Sequence, residues 1–310
     1  MVIDAVVAFF ILGVFCRLVG ANISFPENLY KSLSMFLMVA IGLKGGLALQ
    51  EHIDPSLLIM SLMVIAFGLL LPLVAYPLLR YFGQLDRINA GAVAAHYGSV
   101  SVATYAVAVA LLEANNIRYE AYFPLFVVLL EMPAILVGLV LAKGSMKVIN
   151  ANFIKKELLA NQSILLMVGS LLIGYYGGLS VQKLSPFFIE LFSGILALFL
   201  LKMGLVAGEQ LSELKKNSLF LISFGILMPM IGGIAGTGLG VILGFSAGGV
   251  ALMAVLGASA SYIAVPAAMK ESLPEANAGM SITASLGITF PFNVLLGVPF
   301  FIALGQYLQG

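Results

Sequence analysis

Two short stretches, "GSVSVAT" at Gly98–Thr104 and "GASASY" at Gly257–Tyr262, set glycine and serine inside otherwise apolar runs. Lipid offers the backbone no hydrogen bonds, so a weakened helix at that depth is tolerated only where it lines a protein cavity. There it presents free N–H groups, free carbonyls and a positive dipole end. Ser99, Ser101, Thr104, Ser259 and Ser261, with backbone N–H groups around Val102, Ala103, Gly257 and Ala258, could hold a small oxyanion without any arginine. The same hydroxyls, with carbonyls, could hold a cation. The plainer alternative is that small residues let helices approach closely.

Ionisable groups inside apolar runs are costly and so invite a function; here they are Lys44, His96, Glu131 and Lys202. Lys44, in "MVAIGLKGGLALQE", precedes Gln50 by about 9 Å of helix and can snorkel to the outer surface; Lys202 can snorkel the opposite way. Glu131 is too deep to snorkel and must be neutral or face a partner, which suggests a place in the chamber. His96 reads as a packed neutral imidazole. Thr283, Ser285, Thr289 and Asn293 form a polar set near the chain's end, serving as cation ligands or as hydrogen bonds between helices. Pro133, Pro266 and Pro291 mark kinks.

The elements that must position these residues are membrane helices. The chain of 310 residues is 61% hydrophobic and only 9% charged, with a mean hydropathy of +1.10, against roughly 25% charged in a soluble domain. A net charge of +1 without a basic cluster argues against nucleic acid. The lone Cys16 excludes an intrachain disulfide and a cysteine metal site. No base precedes Arg17, so the first apolar segment is expected to be retained, and Phe15 beside Cys16 argues against lipidation. There is no G-x-x-x-x-G-K-[ST] run and no H-E-x-x-H, so neither ATP coupling nor an intramembrane zinc hydrolase is supported, and no enzyme is expected.

Runs of about 20 apolar residues predict ten spans, near 2–20, 31–50, 56–80, 88–113, 120–143, 162–180, 186–208, 217–244, 248–271 and 278–308. Alternating sides put eleven basic residues on one face and only Arg118 and Lys183 on the other. The crowded face is therefore expected to be cytoplasmic, with both termini outside a bacterial plasma membrane. "FGLLLPL" at Phe67–Leu73 returns as "FGILMPM" at Phe224–Met230, and Ser101, Glu113 and Pro133 recur as Ser259, Glu271 and Pro291. Five spans per copy force an inverted repeat. The expected fold is all-α: a first repeat over 1–143, a cytoplasmic linker over 144–161 and a second repeat over 162–310, with helices four and nine broken.

The runs "IGLKGGLAL", "YGSVSVATYAVAVALLEANNIRYEAY", "EMPA" and "GFSAGGVALMAVLGASASYIAVPAAMKESLPEANA" resemble the sodium-dependent bicarbonate transporter family of the SbtA type. That resemblance implies sodium-coupled bicarbonate uptake, a core domain moving against a gate domain, a homotrimer, and inhibition by a PII-like cytoplasmic protein. Val102, Ala103, Ala260 and Tyr262 depart from the family pattern, Glu131 stands for an aspartate, and Lys44 stands for a threonine. Tyr262 replaces an acid, so the ammonium of Lys44 is expected to act as a built-in cation. The resulting expectation is a secondary transporter of bicarbonate or a similar anion, with a cation near Ser285 and Thr289. The alternatives are a carrier of another organic anion, or a transport-inactive sensor or scaffold in which Tyr262 and Val102 crowd the chamber.

Overall fold

The structure, a computed structural model, describes residues 4–21, 23–50, 55–146, 161–213 and 219–309. Most of the expected linker therefore lies outside the described residues. Thirteen helices carry the fold among those described: α1 (Ala5–Leu18), α2 (Glu27–Leu49), α3 (Ser56–Pro77), α4 (Arg87–His96), α5 (Val102–Ala114), α6 (Phe123–Leu130), α7 (Pro133–Lys143), α8 (Gln162–Gly177), α9 (Phe192–Glu213), α10 (Leu219–Ile242), α11 (Ala247–Ala258), α12 (Ala264–Ser272) and α13 (Ala278–Gln309). The starts follow from capping chemistry. Asp4, Asp86, Asn161, Ser246 and Asn277 each accept a backbone N–H from the first turn that follows.

Among the described residues, six stretches are long and apolar enough to cross a membrane: Asn28–Leu49, Ser56–Phe82, Phe123–Lys143, Phe192–Gln210, Leu219–Ile242 and Ala278–Gln309. Shorter apolar helices fill the other expected positions. The predicted first and sixth spans come out at 14 and 16 residues, because glycines with positive φ, Gly20 and Gly178, follow their ends. The predicted seventh span begins later, at Phe192, after a wide turn over Pro186–Glu190. The predicted fifth steps at Glu131 and Met132, where Pro133 opens a new helix.

The helices sort into two layers. In the first, α1 packs along α9 and α2 along α8, with α9 also against α2. Both long pairs cross at glycines. A Cβ on Gly13 or Gly204 would press into the partner's backbone, and the same holds for Gly46 and Gly174. Such contacts gain dispersion energy that lipid alone does not supply. In the second layer α3 and α10 flank the broken helices, and α4 packs on α7 and α11 on α10 and α13. Residues Ala90–His96, Val102–Leu112 and Gly248–Ala258 are buried throughout, whereas α3 and α10 expose Leu58, Leu62, Leu70, Leu227 and Ile234 outward.

If the glycine crossing holds the first layer, Gly204→Val should cost on the order of 1–3 kcal/mol by overpacking. This would appear as a lowered thermal midpoint in detergent. Gly238→Ala, where an added Cβ meets nothing within 4 Å, should leave the midpoint unchanged.

Candidate functional site

Helix α4 ends where Tyr97 turns extended (φ −98°, ψ 107°) and Gly98 takes φ +117°. Only glycine suits that position, since a Cβ would also meet Pro72 Cδ at 2.8 Å and Gly68 O at 3.0 Å. The chain resumes helix after Ser101, whose Oγ accepts from Thr104 N at 3.2 Å and from Thr104 Oγ1 at 2.9 Å. Later in the chain α11 ends at Ala258, Ser259 is extended, and α12 begins at Ala264. The breaks thus occupy 97–101 and 259–263. Val102, Ala103 and Thr104 are already helical, while Gly257 and Ala258 are still helical.

The two breaks cross antiparallel. Tyr97 pairs with Ala260, and Ser261 N donates to His96 O at 2.9 Å. His96 Nδ1 stands 2.5 Å from Ser261 O, which fixes a proton on Nδ1 because the carbonyl can only accept. Asn293 Nδ2 donates to Ala258 O at 2.7 Å, closing the C-terminal end of α11. The carbonyls of His96, Ser261 and Ala258 are therefore bonded. By contrast, the first-turn amides of Val102, Ala103 and Ala264 meet no acceptor among the described residues. Two positive helix ends converge on one place.

That place is a chamber of about 10 Å³, room for roughly one water. Ser101 and Val102 from one break and Ser261, Tyr262 and Ala264 from the other line it, with Glu131 as its one carboxylate. Met38 of α2 and Ser163 of α8 complete the wall from the first layer. A vestibule of about 440 Å³, reaching Lys31, Asn161 and Glu271 at one end of the molecule, shares Met38, Ser163, Ile263 and Ala264 with the chamber.

The sequence-based candidates separate into groups. Ser101, Val102, Glu131, Ser261 and Tyr262 meet at the chamber. Ser99, fully buried, donates to Glu131 O at 3.2 Å and lies 3.4 Å from its Oε2. Tyr262 lies against Ser101, with its hydroxyl buried and outside hydrogen-bonding geometry. Ser259 and Ser285 donate back along their own helices, to Val255 O and Ser281 O, each at 2.8 Å. Gly257 abuts the Gly232 backbone in the α10 crossing. Thr289 donates to Gly225 O at 2.7 Å and bonds the Tyr97 hydroxyl at 2.9 Å, behind the crossing, and Thr283 bonds Gln210 at 3.3 Å. Lys44 is not at the chamber: six residues past Met38 on α2, about 9 Å, it pairs with Glu113 at 3.0 Å.

Sequence reasoning missed Met38, Ser163 and Tyr97. Tyr97 directly precedes the glycine that opens the first break, which could have marked it. Met38 and Ser163 carry no distinguishing signal.

No curated protein matches the chain significantly. Residues 5–306 match the Na+-dependent bicarbonate transporter superfamily, a family of transporters and not of enzymes. With nearly the whole chain matched and apolar helices long enough to cross a bilayer, the protein is a membrane protein that belongs to the Na+-dependent bicarbonate transporter superfamily.

Proposed function

We propose that the chain is a secondary transporter that moves bicarbonate, or another small monoanion, by alternating access of the second layer (the core) against the first (the gate). The observation that carries this reading is the convergence of free first-turn amides of α5 and α12 with two serine hydroxyls on one chamber, which suits an oxyanion held without arginine. Bicarbonate has four heavy atoms, so a chamber with room for one water must widen to take it. Tyr262 and Val102 are the side chains that have to part.

Paired contacts support two inverted five-helix repeats. Gly68 faces Leu130 as Gly225 faces Ile288, at offsets of 157 and 158 residues. The glycine crossings pair α1 with α9 and α8 with α2, as an exchange of halves requires. The excess of basic residues favours a cytoplasmic vestibule end and outward termini, and on that reading this conformation is the inward-facing one.

A cation is the coupling partner on this reading, and the family's description favours sodium. Asn293 Oδ1 is buried without a donor, and an added Cβ at Gly297 would sit 2.6 Å from it. An orphaned oxygen beside a glycine cradle fits a hard cation. Glu131 supplies the charge at the chamber. The same resemblance extends the reading to a homotrimer and to a PII-like regulator at the cytoplasmic end. The size of the vestibule favours, as a second reading, a bulkier organic anion; thermal stabilisation by a panel of anions separates the two.

Proteoliposomes should accumulate labelled bicarbonate under an inward sodium gradient; no uptake under any cation gradient would overturn the assignment. Ser101→Ala and Ser261→Ala should each raise KM about tenfold, the worth of one hydrogen bond to a charged ligand. Glu131→Gln should abolish the stimulation by sodium, read as equal uptake rates with and without the gradient.

A further inference from the structure

The end of the layer seam opposite the vestibule is closed by charge. Lys44 Nζ of α2 lies 3.0 Å from Glu113 Oε1 at the end of α5, and Tyr119 OH donates to the same oxygen at 2.9 Å. The ammonium also stands 5.2 Å from the ring centre of Phe192, the first residue of α9. Lys44 and Phe192 belong to the gate, Glu113 and Tyr119 to the core, so one cluster spans the seam. Beside it lies a cavity of about 200 Å³, also lined by Ile41, Tyr105 and Val109, which shares no lining residue with the chamber.

We propose that Lys44, Glu113 and Tyr119 form the outer gate of the route, and that an incoming small monoanion opens it by replacing Glu113 on the Lys44 ammonium. This rests on the transport reading above. The side chains of Lys44 and Glu113 keep 24% and 43% of their exposure, and an ion pair so wetted is weak enough to exchange partners. An apolar plug would seal the seam equally well but would offer the anion nothing. The exchange also selects by sign: an anion entering the cavity finds an ammonium, whereas a cation is repelled by it once Glu113 has left. Tyr119 keeps a donor on the Glu113 carboxylate while the lysine is engaged elsewhere.

The test uses the full chain in right-side-out vesicles, with Cys16→Ala and a reporter, Val109→Cys, at a cavity-wall position only 5% exposed. Labelling by a membrane-impermeant maleimide reports opening. Glu113→Gln should speed labelling about tenfold, and the exchanged pair Lys44→Glu with Glu113→Lys should return it to within about twofold of the parent. External bicarbonate should accelerate labelling of the parent but not of the exchanged pair, which presents a carboxylate from α2. Unchanged labelling in Glu113→Gln overturns the gate, and labelling of the parent that ignores bicarbonate overturns the exchange. Ile41→Cys, on the other wall, serves as reporter if Val109→Cys does not fold. A chain that labels as expected yet accumulates no bicarbonate keeps the gate and removes the uptake assignment, so the two failures are distinguishable.

Discussion

A helix interrupted inside a bilayer must find replacements for the hydrogen bonds it loses. Each break strands up to about four N–H and four C=O groups, and in hydrocarbon each unmet group costs several kcal/mol. The two breaks answer this by serving one another: Ser261 N on His96 O, and His96 Nδ1 on Ser261 O. What they cannot supply comes from α13, where Asn293 takes Ala258 O and Thr289 holds Tyr97 in place. Neither break is stable by itself. The second layer must therefore contain both breaks packed together, and the polar residues of α13 belong to its architecture as much as to any ligand.

The same logic separates the layers mechanically. Inside the core, the crossing is pinned by short directional bonds that break if its helices shift by an ångström or two. The gate is held by glycine crossings, tight but apolar. Between the layers, side-chain bonds include Lys44–Glu113 toward one end and Thr283–Gln210 toward the other, with Met38 and Ile263 against the chamber. Polar links toward the ends and apolar contact in the middle mark the seam between the two layers.

The parts of this design that were legible in the sequence are those governed by local chemistry. Glycine and serine within apolar runs located both breaks, and Ser101 and Ser261 line the chamber. The limits of the breaks were displaced because Ser101 reads as a helix breaker but acts as a cap, placing Val102–Thr104 inside α5. Hydropathy ran on past Gly20 and Gly178, where the backbone turns with positive φ. Lys44 was harder. Its partner Glu113 lies 69 residues away, and no local pattern links them, so the residues alone suggested snorkelling and the family resemblance a built-in cation. Thr283, Ser285, Thr289 and Asn293 share one helix yet bond to four different places, because the wide turns over Thr283–Thr289 and Asn293–Gly297 rotate successive side chains off a common face.

Charge at the chamber would give the proposed coupling a physical basis. The free amides of α5 and α12 favour an anion, yet Glu131 stands in the same wall. If ionised, at a separation of about 5 Å and an effective dielectric near 20, it would oppose a monoanion by about 3 kcal/mol, more than a hundredfold in affinity. A cation that neutralises this carboxylate removes that penalty, and by linkage the bound anion raises the affinity for the cation by the same factor. Tyr262, in place of a second acid, leaves one carboxylate to be balanced. On the proposed reading, one cation would then suffice to make the chamber attractive to one anion, without any contact between the two ions.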